Sequence, residues 1–526
     1  MKLLLLLLIP LVVLTTACKR DQAVWETDWQ APLLKDTLTL EKLITDSYVS
    51  VNGNYLELSF DRTIFELNLS DVVEIPDTTV SHAYAFPVSG FTVPAGSSFV
   101  NNVQEHEIAL GDVELKKITI KSGGIAIRLL NPIGTKAFFT VELPGVTRNG
   151  VTLSQNFVAP SGTLANPGSV NGFVDLQGYE IDLRGANAGS FNKLQSKMLV
   201  TSDPAGPTVV INSTDSLKFL FTMQDIKLDY ARGYFGNQLI SDTITEYIDA
   251  LGKITGGIID LPASAIELEI VNGLKVAAKA KVTGLKSTNN EGTTVNLVHP
   301  SIGSWITLNS ATGNAGYFQP SSTSLLFNGQ NSNVESLLEN HGASNEVGFQ
   351  LQLNPWGNTS GGWDEIFPQS SLKVNLSADM PLSIGLTDVV LQDTFAFSFK
   401  QDFTKTHVKS GSIWMNATNG FPLSAEVVLY LMDSQGNVIT ALPGSAAVLS
   451  SEYGAAVDGI LQKKSTIEFF IPESALSSLE SVTQLSVKVK LNTPNAGTNM
   501  SEQMQVPAGS FFGFKIGAKL KVEARI

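Results

Sequence analysis

The chain contains one thiol, Cys18, and its surroundings suit acylation better than catalysis. It stands behind Lys2, an apolar run from Leu3 to Leu14 and the small residues Thr15, Thr16 and Ala17, the layout of a secretory signal whose cut falls at a cysteine. A thiol placed there accepts an acylglyceryl group, so the mature chain is expected to begin at Cys18 and to be held by lipid. The apolar stretch is shorter than the roughly 20 residues a spanning helix needs. Acylation of Cys18 would leave no thiol for disulfides or thiolate metal sites.

The remaining candidates for chemistry are few. Histidines occur at 82, 106, 299, 341 and 407, and no two have the spacing of metal ligands. Strand alternation would put Glu105 and Glu107 on the face opposite His106, so His106 is expected to be a surface residue. Ser190-Phe191-Asn192-Lys193 satisfies SxxK but lacks its companion motifs, and no HExxH, GxSxG, phosphate-loop or EF-hand pattern occurs. Asp364 and Glu365 follow Trp363 and read as solvated rim charges, because no second carboxylate can be paired with them as in a glycosidase. The expectation is a protein that is not an enzyme, with no metal and no cofactor.

Residues 300–368 are rich in Asn, Gly, Ser and aromatics and poor in charge. Trp305, Tyr317, Trp356 and Trp363 are the candidate ligand-binding residues, since loops of this make-up can present flat rings to sugars. The competing reading has these rings plug seams between domains.

Holding such loops requires a strand framework, and the composition supplies one. Charged residues are 16% of 526, with Ser, Thr, Asn and Gly in their place, the habit of secreted β proteins. The formal charge is -14, and loss of residues 1–17 removes only Lys2, giving -15. That balance argues against nucleic acid as a partner. Asn52-Gly53 and Asn149-Gly150 predict type I′ hairpins, and Gln435-Gly436-Asn437 predicts another turn. Ile266, Leu268 and Ile270 alternate with Glu267 and Glu269, giving one buried and one wet face. Two helices are predicted, over Ser241–Leu251 with Ser241 as N-cap and over Asn333–Glu339.

A motif recurs at domain-length spacing. A strand ends at Asn131-Pro132, at Asn272-Gly273 and at Asn419-Gly420, and each time a second strand follows within a few residues. Two copies also share Lys-Ser-Gly, at 121–123 and 409–411. This signature resembles the water-stress (LEA-14-like) β-sandwich, which implies an immunoglobulin-like sandwich as the unit and implies no catalytic residues. The lipid site and strand-rich body together resemble Bacteroidota outer-membrane lipoproteins. The fold class expected is all-β, tandem immunoglobulin-like β-sandwich domains with a few short helices. Its expected partition is a signal peptide at 1–17, a tether at 18–40, sandwiches at 41–160 and 161–300, an Asn/Gly/aromatic-rich β region at 301–395 and a C-terminal sandwich at 396–526.

The function expected is that of a lipid-anchored structural or accessory protein of the envelope, in the outer membrane and beside an outer-membrane protein partner. Two alternatives are a carbohydrate-binding surface lipoprotein with a glycan ligand and a lipid-binding protein of the periplasmic face.

Overall fold

The computed structural model describes residues 24–39, 49–247, 254–314, 317–381, 383–397, 406–494 and 503–525. Cys18 and the apolar run before it lie outside them. The fold is all-β, built as β-sandwiches with a few short helices.

Three sandwiches are nested rather than strung in sequence. The first is a ten-stranded sheet drawn from residues 78–234 plus the short strand Asp364–Ile366. Its two longest strands, Glu114–Asn131 and Ser216–Tyr234, pair along their lengths but slip register after Gln224. Gly123 takes φ +107 at that slip, and a Cβ there would collide with the Asp225 carbonyl. A glycine-made bulge bends the sheet so that it wraps its own core.

The middle sandwich sets one sheet, Val49–Asn52, Tyr55–Asn68, Ser371–Pro381, Ala265–Asn272 and Ser321–Asn328, against another built on Gln238–Tyr247, Ser344–Leu353 and Ala278–Thr288. Ile266, Leu268 and Ile270 point into it, as their alternation predicts. The terminal sandwich joins Val24–Thr39, Phe511–Arg525, Thr406–Asn419 and Ile460–Ile471 in one sheet. Its other sheet carries Ile254–Asp260, Ser383–Ala396, Gln484–Asn492 and Ser424–Met432. One buried core runs continuously through the first and middle sandwiches, and a separate core fills the terminal one. A small apolar cluster around Leu56 and Val506 links the middle and terminal units, beside a bond from the Leu56 amide to the Val506 carbonyl.

This path revises the expected partition. The boundary at 160 falls inside the first sandwich, and residues 301–395 are shared among all three sandwiches, Asp364–Ile366 going to the first, instead of forming a region of their own. The expected tether becomes a strand from Val24 onward, pairing antiparallel with the last strand from Val24 opposite Arg525 to Thr39 opposite Phe511. Trp29 packs against the terminal core, and Pro32 sits at a register slip on this edge strand, where a missing N–H is tolerated.

The predicted helix at Ser241–Leu251 is also corrected. Residues up to Tyr247 form the strand Gln238–Tyr247, paired residue for residue with Ser344–Leu353, and residues 248–251 lie outside the described chain. Ile240 and Ile244 pack on the core, and a spacing of four satisfies a strand's period as well as a helix's. β-Branched Thr243, Ile244 and Thr245 then favour the strand. The second predicted helix is present as Val334–Leu338, with Asn333 at its N-cap position.

The recurring asparagines prove to be one device used three times. Asn131 Oδ1 accepts from the Ile133 amide at 3.1 Å while its Nδ2 donates to the carbonyls of Thr135 and Pro160, both at 2.8 Å. Asn419 repeats the arrangement with Phe421, Leu423 and Leu449, and Asn272 bonds Leu274 and Asn309. Each side chain closes a turn over its own backbone and ties the corner to a distant segment. None of the three is left-handed, so the tolerance of Asn for positive φ is not what the corner uses.

The hairpins separate the two Asn-Gly pairs. Asn149 and Gly150 both have positive φ between Arg148 and Val151, as a type I′ turn requires. At the other hairpin Asn52 belongs to the strand and pairs with Tyr55, so the loop is Gly53-Asn54 with only Gly53 positive. That is the type II′ pattern, a correction to the expected I′ turn.

Candidate functional site

A dense polar cluster lies where the first and middle sandwiches meet, and it is centred on Glu365. The strand Ser216–Tyr234 places Tyr230 and Arg232 on one face, two residues apart. Asp364–Ile366 pairs with the end of that strand, and Lys275 follows the corner at Asn272, bonding the Glu365 backbone in both directions. The Glu365 carboxylate accepts from the Tyr230 hydroxyl at 2.6 Å, from Arg232 at 2.7 and 3.1 Å, and from Lys275 Nζ.

Asp364 and Glu365 are only 7% and 9% exposed, so the expectation of solvated rim charges is overturned. They are buried because the strand that carries them is wedged into the seam between two sandwiches. Burial pushes the Glu365 carboxyl up, but the bonds from Lys275, Tyr230 and Arg232 outweigh it and hold the group at about 2. Burial, then Glu365, pushes the Tyr230 phenol above its ordinary value. Asp364 is raised by burial against opposing bonds from Ser360 and Asn354. Held by three side chains of opposite or donor character, the carboxylate acts as an electrostatic clamp. Sequence reading missed Tyr230, Arg232 and Lys275. The available signal was weak: alternating Tyr and Arg on one strand, far from an Asp-Glu pair that follows a tryptophan.

The candidate aromatic residues are spread over several elements. Trp363 stands at the same seam, with Lys116 Nζ 5.1 Å and Arg232 Cζ 5.4 Å from its ring centre. Trp305 lies over the outward lysines of Ala278–Thr288, with Lys279 at 4.4 Å and Lys281 at 4.8 Å. Both rings already hold cations. Trp356 belongs to the same loop as Trp363, is 56% exposed, and has no cation over its ring among the described residues. Tyr317 opens the strand Tyr317–Gln319, paired with Thr312–Asn314.

His106 corrects a second expectation. Alternation holds, with Glu105 and Glu107 outward, but the histidine face is the core face: Nε2 lies 2.6 Å from Ser196 Oγ, and the ring meets Phe221 edge-on. His82 faces the same interior, 2.8 Å from Gln104. Burial lowers both imidazoles, and His82 lowers His106 further. In the SxxK segment, Lys193 is directed at Glu105, and left-handed Asn192 bonds the backbone of Leu115 and Val113, so the segment is a structural turn. Among the described residues no group of three or more His, Cys, Asp or Glu could hold a metal ion, and no helix is long and apolar enough to cross a membrane.

No family model matches the chain, and no curated protein matches it. Among solved structures, a protein of Parabacteroides distasonis described as secreted aligns over 94% of this chain and 99% of its own, at 8% identity and TM-score 0.26. The VP2 subviral particle of infectious bursal disease virus aligns over 80% and 79%, at 10% identity and TM-score 0.14. A peptide-N(4)-(N-acetyl-β-D-glucosaminyl) asparagine amidase aligns over 58% and 96%, at 12% identity and TM-score 0.13.

Proposed function

We propose that the protein is a lipid-anchored component of the outer membrane, a non-catalytic structural or accessory subunit whose three sandwiches extend from an acyl group on Cys18. The observation that carries this reading is the pairing of Val24–Thr39 with Phe511–Arg525. It builds the segment just behind Cys18 into the terminal sheet, leaving residues 19–23 as the link. Five residues span at most about 20 Å, so an acylated Cys18 would hold the terminal sandwich close to the bilayer. The first sandwich is joined to the terminal one through the middle unit, which suits a spacer that presents its far end to a partner. The Glu365 carboxylate, tied to Tyr230, Arg232 and Lys275 across the seam, suits a structural role.

The test is recovery of the native protein from detergent-solubilised envelope. An outer-membrane protein recovered in constant ratio is the expected result, and recovery of this chain alone would contradict the accessory role. A second reading, glycan binding, is favoured at one place only, the exposed and cation-free ring of Trp356.

A further inference from the structure

The terminal sandwich turns one sheet face outward, and its chemistry differs from that of the rest of the chain. On Phe511–Arg525, Ile516, Ala518, Leu520 and Val522 are buried, so Lys515 and Lys519 point away from the core. Lys515 lies directly opposite Lys35 on the neighbouring strand. Lys464, on Ile460–Ile471, faces the same way one row along, opposite Thr418. All four lysines are exposed, and among the described residues none is ion-paired, whereas Lys409 and Lys521 at the other end of the face are held by Glu26.

Two aromatic residues complete the face. Trp414 lies across Gly517, where a Cβ would collide with the indole, and Phe470 is 63% exposed opposite Ser412. Like charges opposed across a sheet are destabilising, so the Lys35–Lys515 pair is a cost that folding alone does not explain. Glu468, opposite Trp414 and bonded by Ser412, and Asp28, opposite Lys521, share this face, but its lysines outnumber its acids, an excess out of character for a chain of net charge -14.

We propose that this face docks on an anionic phospholipid surface, with the lysines on headgroup phosphates and Trp414 and Phe470 at the level of the acyl boundary. Charge complementarity and the chemistry of the rings fit that occupant. So does the chain's own layout, because the edge strand of this sheet is the one that follows Cys18. The inference deepens the anchoring proposed above: the acyl group would tether the protein, and this face would set how it lies.

The test uses the unacylated mature chain, residues 18–526 carrying Cys18→Ser, in sedimentation with vesicles. Binding is expected to vesicles containing phosphatidylglycerol, to be absent from pure phosphatidylcholine, and to fall with added salt. At about fivefold per basic residue, the variant Lys35→Gln/Lys515→Gln/Lys519→Gln should bind roughly 100-fold more weakly. Lys197→Gln and Lys286→Gln, on other sheets, should bind as the parent does. Unchanged melting of the triple variant shows that the loss is not unfolding. Binding indifferent to phosphatidylglycerol, or equal in the triple variant, would overturn the proposal. Because the probe carries no acyl group, that outcome leaves the anchor itself to be judged separately by lipid labelling of the intact protein.

Discussion

Replacing Glu365 by Gln keeps the volume of the side chain and removes the charge on which the seam between the first and middle sandwiches depends. Lys275 and Arg232 would then face each other across Tyr230 with no counterion. A carboxyl held at about 2 instead of 4.5 corresponds to ~3 kcal/mol of stabilisation above pH 4.5. The two cations keep roughly 30% of their side chains in water, and solvent will recover part of the loss, which leaves about 2 kcal/mol. For a joint unit of about 300 residues, at roughly 2.1 cal/mol/K of unfolding entropy per residue, that lowers the melting temperature by about 3 °C. Calorimetry should show the fall in the transition of the first and middle sandwiches, which share a core, and not in that of the terminal sandwich. The double variant Glu365→Gln/Lys275→Met should recover part of it. Because the folded carboxyl is depressed, its contribution is complete above pH 4.5 and is lost as pH falls toward 2, so wild type and variant should converge in acid. A shift under about 1 °C at pH 7, or one confined to the terminal transition, would refute the clamp.

Other outcomes follow from the same structure. His82, His106 and His341 are all lowered by burial, so the unfolded chain takes up protons first and stability should decline as pH falls below about 6.5; His106→Gln should flatten that decline in a pH series of melts. Asn131→Ala or Asn419→Ala removes the donor from two carbonyls, only that of Thr135 being fully buried, and should cost about 1–3 kcal/mol, read by chemical denaturation, whereas alanine in place of Asn171 on an exposed strand position should cost little. Deletion of residues 512–526 removes the partner of both Val24–Thr39 and Thr406–Asn419 and should lower the melting temperature of the terminal sandwich; an unchanged melt would refute the pairing. If glycans bind at the exposed loop, Trp356→Ala should abolish array signal while Trp305→Ala, whose ring already carries two lysines, leaves it intact.

The strands were legible because their chemistry is local. Alternation at Ile266, Leu268 and Ile270 and the turn at Asn149-Gly150 each lie within a few residues, and the Asn corner at 131, 272 and 419 repeats with its neighbours. What sequence could not give was which strands meet. The nesting that sends Val24–Thr39 to the end of the chain depends on pairing across nearly 500 positions. Glu365 likewise finds partners 90 to 135 residues away, and from sequence a buried clamp and a solvated acid look the same. Ser241–Leu251 failed for a different reason. A pair of isoleucines four apart satisfies two periods, and the choice was made by Ser344–Leu353 alongside.

The claim on which the functional proposal rests is the acylation of Cys18, and metabolic labelling with a clickable fatty acid tests it most directly. Label should enter the wild-type protein and be absent from Cys18→Ala, which should persist as uncleaved precursor, since neither alanine nor serine can form the thioether. Equal label in both proteins, or none in either, would contradict the account.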